Sequence, residues 1–356
     1  MSAKKETLNL FLAMLISIGL IFAGLWFLME RWAQLTKNQV STSSSPNSSE
    51  SGNQTNSWMI QNQPVTKCNV ANLPGGTFNY GGSTTWAPIR GQVDPVLERT
   101  CPQFTLRYTQ SLNKPPGSGT GIEMLIDNQL AFSQSSRSIK GEENQKAQQK
   151  GFSLKEIPVA IDGIAIAVNR NLNIPGLTVA QLKDIYTAKI TNWQEVGGPN
   201  LTITPLSRSK EAGGTVEFFI DNVLNKENFG INVSYIGTTT EALRKLALNP
   251  GGIYYASAPE VVPQCTVKPL PLGRTSGQLV TPYREPYIPT SECPMKRNQL
   301  NDQDFQSGEY PITRNLFVIL KQNGQTDEQA GEAYANWLLT SQGQELIEKA
   351  GFIRIK

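Results

Sequence analysis

The sequence predicts an α/β protein of two lobes carried behind one N-terminal transmembrane helix, and three observations predict it. Three small-residue loops each open a stretch of helical apolar spacing, short continuous apolar runs read as strands covered on both faces, and one long apolar segment stands near the start. The loops are Gly81-Gly82-Ser83-Thr84-Thr85-Trp86, Gly117-Ser118-Gly119-Thr120-Gly121 and Gly213-Gly214-Thr215. Ile89, Val93, Val96 and Leu97 follow the first, Ile122, Leu125, Ile126 and Leu130 the second, and Val216, Phe219, Ile220, Val223 and Leu224 the third. Such a loop offers backbone N–H groups without helical partners at the positive end of a helix dipole, and glycine lets an oxyanion approach them. One such loop is an ordinary N-cap; three in one chain point to an anion site.

Leu8 to Met29 is apolar apart from Asn9 and Ser17, long enough to span a bilayer, with Lys4 and Lys5 before it. Its aromatic close, Leu25-Trp26-Phe27-Leu28-Met29, suits a membrane interface better than the shorter apolar region of a cleaved signal peptide. Residues 1–35 are therefore expected to be a cytoplasmic N-terminus and signal anchor in a bacterial inner membrane, with the body on the extracytoplasmic side. Residues 36–60 are rich in Ser, Asn, Thr and Gln and poor in apolar residues, the composition of a flexible tether.

The remaining roughly 295 residues suffice for two lobes sharing a cleft. A formal net charge of +3 is too small to imply a nucleic-acid partner. The chain has no histidine, which excludes Ser-His-Asp and Cys-His catalysis and most zinc or copper sites. No carboxylate cluster, Walker loop or dinucleotide fingerprint supports an enzyme or a cofactor, so none is expected. Four cysteines, Cys68, Cys101, Cys265 and Cys293, form no CxxC pair. Three disulfide connectivities are open to them, with free thiols and a metal site as rivals, and nearest-neighbour pairing, Cys68 with Cys101 and Cys265 with Cys293, is the expectation.

Within the body, residues 157–161 and 164–168 read as two buried strands, and Leu177-Thr178-Val179-Ala180-Gln181-Leu182 contains a Thr-x-x-Gln capping box that opens a helix. A second box, Thr326 to Gln329, is expected to open a C-terminal helix carrying Ala333, Trp337 and Leu338.

These elements, with Ile190-Thr191-Asn192-Trp193, Arg208, Gly214-Thr215, Gly252-Ile253-Tyr254-Tyr255, Tyr310-Pro311-Ile312-Thr313-Arg314 and Ala350-Gly351-Phe352, resemble the periplasmic phosphate-binding proteins of ABC importers over roughly residues 75–356. The resemblance implies a type II periplasmic-binding-protein fold, a cleft between lobes formed by residues 61–160 with 262–356 and by 161–261, and an oxyanion held in it. It implies a monomer that captures inorganic phosphate for ABC permease subunits without chemical turnover. A tethered sensor or scaffold that signals ligand closure to a membrane partner would use the same features.

Carried across, the resemblance assigns Thr85 and Trp86 to backbone and hydroxyl donation, Ser118 to the second loop's donor, and Arg208 to the main cation. Gly213, Gly214 and Thr215 stand where the family has Ser-Gly-Thr, and Thr84 and Gly119 fall in the same loops. One extra residue separates Arg208 from Thr215. Ser136 stands where many relatives carry an aspartate that accepts a hydrogen bond from a protonated phosphate oxygen, and Arg137 follows it as a second cation or as one half of an ion pair. Without that aspartate, discrimination against sulfate is expected to weaken unless another acceptor stands in, and Asp162 is the nearest candidate.

Overall fold

A computed structural model describes Cys68 and residues 70–210, 213–289 and 291–355. The expected transmembrane helix and tether lie outside these residues, and no helix among the described ones is long and apolar enough to cross a membrane.

Strands β1 (Gly76–Gly82), β2 (Phe104–Tyr108) and β3 (Phe132–Ser135) run parallel, β1 lying between the other two. Strand β4 (Ser153–Asn169) is followed by β5 (Leu177–Thr178), β6 (Thr204–Ser207), β7 (Ser234–Tyr235), β8 (Gly252–Ser257), β9 (Val267–Leu270), β10 (Leu272–Gly273), β11 (Leu279–Val280) and β12 (Thr313–Gln322). The main sheet has the order β2-β1-β3-β12-β4-β8-β6-β7, with β9 also on β4, and β11-β10-β5 form a small second sheet. The strands alternate with helices α1 (Ala87–Thr100), α2 (Ser118–Ile126), α3 (Gly141–Gln149), α4 (Val179–Tyr186), α5 (Gly214–Asn222), α6 (Thr239–Leu248), α7 (Ala258–Val261) and α8 (Asp302–Ser307), and α9 (Thr326–Leu338) and α10 (Ser341–Lys349) close the chain.

The helices begin where local chemistry allows. Pro88 sits in the first turn of α1, where a missing N–H costs nothing, and Ile89, Val93 and Leu97 bury one face. Thr178 caps α4 as expected: its hydroxyl accepts from Gln181 N at 3.1 Å, and the Gln181 side chain accepts from Thr178 N at 2.8 Å. The start of α9 differs from expectation. Gln325 is its N-cap, and the carboxylate of Glu328 instead accepts from the N–H groups of Asn323 and Gly324, at 2.8 and 2.6 Å. A charged acceptor three residues into the helix satisfies the preceding turn better than the Thr326 hydroxyl.

The largest departure is β4. Where two strands separated by Asp162-Gly163 are expected, one strand of 17 residues runs through. Asp162 lies opposite Arg314 in the β4/β12 register, and a Cβ on Gly163 would fall 2.1 Å from the ring of Phe305. The dipeptide is therefore a close approach within a strand. Up to Gly163, β4 pairs with β12, and from Ile164 onward it pairs with β8 and β9.

Two large apolar cores flank that change of partner. One gathers Trp86, Ile89, Phe104, Phe132, Val159, Leu316, Tyr334 and Ile347; the other gathers Ile166, Leu182, Tyr186, Trp193, Phe219, Tyr255, Phe305 and Tyr310. Residues between Val267 and Ile312 belong to the second core. Disulfides join Cys68 to Cys101 and Cys265 to Cys293.

Candidate functional site

The three loops meet. The first intrahelical bonds run from Gly121 to Gly117 in α2 and from Val216 to Gly213 in α5, so the N–H groups of residues 118–119 and 214–215 precede them. A Cβ on Gly117 would lie 3.2 Å from Gly213 Cα, which brings the starts of α2 and α5 into contact. Gly213 has φ of 115°, a conformation that excludes ordinary side chains. A Cβ on Gly214 would fall 2.4 Å from the Ser136 hydroxyl and 2.6 Å from that of Ser118. Three hydroxyls form a chain there: Ser83 donates to Ser136 at 3.0 Å, and Ser136 lies 3.2 Å from Ser118. All three serines are buried, and the Ser118 hydroxyl also accepts from Ser136 N at 3.0 Å.

Beside this hydroxyl chain lies Arg314, the last residue of the Tyr310–Arg314 segment, to which the sequence alone assigns no role. Its Nη2 donates to Thr215 Oγ1 at 2.9 Å, to Thr85 Oγ1 at 3.3 Å and to Asp162 Oδ2 at 2.8 Å, and Nε donates to the same carboxylate oxygen at 3.0 Å. Thr85 and Thr215 are 3.4 Å apart, so the guanidinium ties the first and third loops together. The other oxygen of Asp162 accepts from the Ser257 hydroxyl at 2.6 Å, and the Ala258 N–H also donates to this carboxylate. Burial pushes the Asp162 carboxyl above its ordinary range, and Arg314 and Ser257 oppose that rise. Nη1 of Arg314 is buried and has no partner among the described residues. A buried guanidinium donor left open is costly unless something accepts from it.

Thr85, Thr215 and Ser257 line a cavity of about 330 Å³. Its wall includes Thr84, Arg208, Thr239, Tyr254 and Glu260. Arg208 lines this cavity, while Arg314 is the guanidinium bonded to the loop threonines. No local pattern marks this role for Arg314, because its partner Asp162 lies 152 residues away in the sequence and meets it only through strand register.

Other expected residues have different surroundings. Arg137 is an ion-pair residue rather than an open cation: Nε donates to Glu217 at 2.6 Å, Nη2 and Nη1 to Glu143 at 2.7 and 3.0 Å, and Nη1 to the Ser138 carbonyl at 2.9 Å. Against the effect of burial, Arg137 and Lys140 hold the Glu217 carboxyl below its ordinary range. Gly119 lies against this pair, with its Cβ position 3.2 Å from Arg137 Nη2. The backbone N–H groups of Thr85 and Trp86 are turned inward to Ser83, both at 3.3 Å, because Thr84–Trp86 form a short 3₁₀ turn. The Trp86 ring is buried and donates to the Ser135 carbonyl at 3.0 Å. Asp162 is not an open acceptor, since its oxygens serve Ser257, Ala258 and Arg314. Among the described residues no group of three or more His, Cys, Asp or Glu could hold a metal.

A sheet with helices whose N-termini converge, serine and threonine hydroxyls, and an arginine with an open donor define an α/β protein built to hold an anion. The chain belongs to the PBP superfamily domain family, whose sequence profile matches residues 41–342. It is 26% identical over 282 residues to the phosphate-binding protein PstS of Staphylococcus epidermidis, covering 78% of each chain. It is 28% identical over 288 residues to PstS of a Staphylococcus aureus strain, covering 78% of this chain and 82% of the relative. A Clostridium perfringens protein crystallised with bound phosphate superposes with a TM-score of 0.62 at 23% identity, over 79% of this chain and all of that one. An ABC-type phosphate transport receptor from Vibrio cholerae gives 0.59 at 21% identity, over 78% of this chain and all of the other. The fold is the type II periplasmic-binding-like α/β fold.

Proposed function

We propose that this protein binds inorganic phosphate outside the cytoplasm and delivers it to the permease of an ABC importer. The relatives named for phosphate binding support the ligand class, and the open Nη1 of buried Arg314, set beside the threonines of two converging loops, is the observation that carries the reading. Thr85, Ser118, Gly214 and Thr215 supply hydroxyl or helix N-terminal donors, Arg314 donates from beneath them, and Arg208 closes the site from the cavity wall. Arg314 is pre-oriented by Asp162, which neutralises it while the site is empty, so no bare buried charge precedes binding. Binding of this kind requires no bond to be made or broken, and the chain acts as a solute receptor.

The two cores are the two lobes in this reading: residues 70–163 with 313–355, and residues 164–312. This differs from the sequence reading in giving 262–312 to the second lobe, on the strength of the core that Val267, Leu270, Tyr283, Phe305 and Tyr310 share. Residues 1–35 anchor the chain and 36–60 tether it, so that the binding unit, a monomer in this reading, stays near its permease. Calorimetry of the full chain in detergent against phosphate, sulfate, molybdate and small phosphate esters tests the reading. Saturable phosphate binding with one site is expected, and heat with none of the panel contradicts it.

A further inference from the structure

A carboxylate in the wall of an anion cavity needs an explanation. Glu260, the third residue of α7, faces the same space as Arg208, Thr239 and Thr215. Lone pairs of a carboxylate repel those of an oxyanion at short range, an effect that solvent at the exposed Glu260 weakens without removing. The arrangement is favourable only when the bound anion brings a proton to that side, because an ionised carboxylate accepts and never donates.

The other carboxylates near the loops are occupied. Asp162 serves Arg314, Ser257 and Ala258; Glu143 serves Arg137 and the Lys140 backbone; Glu217 serves Arg137 and Lys140. Position 136 holds a serine whose hydroxyl is enclosed between Ser83 and Ser118 and supplies no carboxylate. Glu260 is the carboxylate that lines the cavity, and Arg208 and Thr239 line the same space.

We propose that Glu260 is the specificity-determining acceptor of this site, taking a hydrogen bond from the protonated oxygen of a hydrogen phosphate while Arg208 and Arg314 engage the deprotonated oxygens. Sulfate has no proton to donate at neutral pH and meets the carboxylate with lone pairs alone. This inference rests on the phosphate reading above and adds the residue that separates phosphate from sulfate. Because Glu260 is exposed to solvent, the discrimination is smaller than the 10⁴ to 10⁵ of a fully enclosed polar contact.

Competition of sulfate against labelled phosphate on the full chain in detergent, with wild type, Glu260→Gln and Glu260→Asp, tests it. Glutamine matches the shape of Glu260, and its melting temperature relative to wild type checks the fold. Wild type is expected to prefer phosphate, Glu260→Gln to lose about 10- to 100-fold of that preference, and Glu260→Asp to retain part of it. A Glu260→Gln variant that melts like wild type and rejects sulfate equally well overturns the inference and leaves phosphate capture standing. Wild type that binds no phosphate overturns phosphate capture itself, and this inference with it.

Discussion

Arg137 and Arg314 are buried to nearly the same extent, 7% and 5% exposed, and both stand beside the converging loops, yet their donors are spent differently. Arg137 is held by two carboxylates and a carbonyl, with donors on all three nitrogens engaged. Arg314 faces one carboxylate from the side, spends Nη2 on the hydroxyls of Thr85 and Thr215, and keeps Nη1 open. The difference separates an arginine that holds elements together from one poised for a ligand. Motif position alone points the other way, since the Ser-Ser-Arg run draws attention to Arg137. Counting donors and acceptors reverses the ranking.

The largest effect is expected for Arg314→Gln. It leaves Asp162 buried without its cation, at a cost of about 3 to 5 kcal/mol in stability, and removes the donor that faces the anion, lowering phosphate affinity by at least about a hundredfold. Thermal unfolding and calorimetry read the two losses separately. Arg314→Lys keeps the charge without the planar fork, so stability should recover further than affinity. Equal recovery of both would mean that charge alone matters and that the open Nη1 does not.

Arg137→Gln should produce a stability loss of about 3 kcal/mol by uncovering Glu143 and Glu217, lessened by Lys140 3.1 Å from Glu217. Phosphate affinity of the folded protein should change by less than about fivefold, because a residue outside the anion's contacts acts on stability and not on binding. Loss of affinity as large as that of Arg314→Gln would erase the distinction between the two arginines.

A third comparison sets Asp94 against Asp162. Asp162 is satisfied by a cation, whereas Asp94 accepts from the hydroxyls of Tyr80 and Tyr334, and burial pushes its carboxyl up to about 6. Its folded value lies above the unfolded one, so its contribution is whole below the unfolded value near 4 and is lost as pH rises through about 6. By linkage the loss is at most about 3 kcal/mol. Asp94→Asn should flatten this part of the stability profile in unfolding measured from pH 4 to 7. An unchanged slope would place its origin elsewhere.

Much of this organisation was legible in the sequence because it is local. Loop-to-helix transitions, the Thr178/Gln181 cap and the apolar faces of α1, α2 and α5 depend on residues within a few positions of one another. The Arg314–Asp162 pair depends on register between strands 152 residues apart in sequence, which no local pattern encodes. The continuity of β4 was hidden for the same reason: Asp162-Gly163 has the composition of a turn, and only Arg314 and Phe305, arriving from far along the chain, turn it into a strand. Glu260 gave no signal either, since Ala258-Pro259-Glu260 reads as a helix start with an acidic first turn.

The most direct measurement is a crystal structure of the protein with phosphate bound. Arg314 Nη1 is expected within about 3 Å of a phosphate oxygen, with Thr85 and Thr215 on the same anion and Arg137 still held by Glu143 and Glu217. Phosphate bound against Arg137, with Nη1 of Arg314 still lacking an acceptor, would contradict the division of labour between the two arginines.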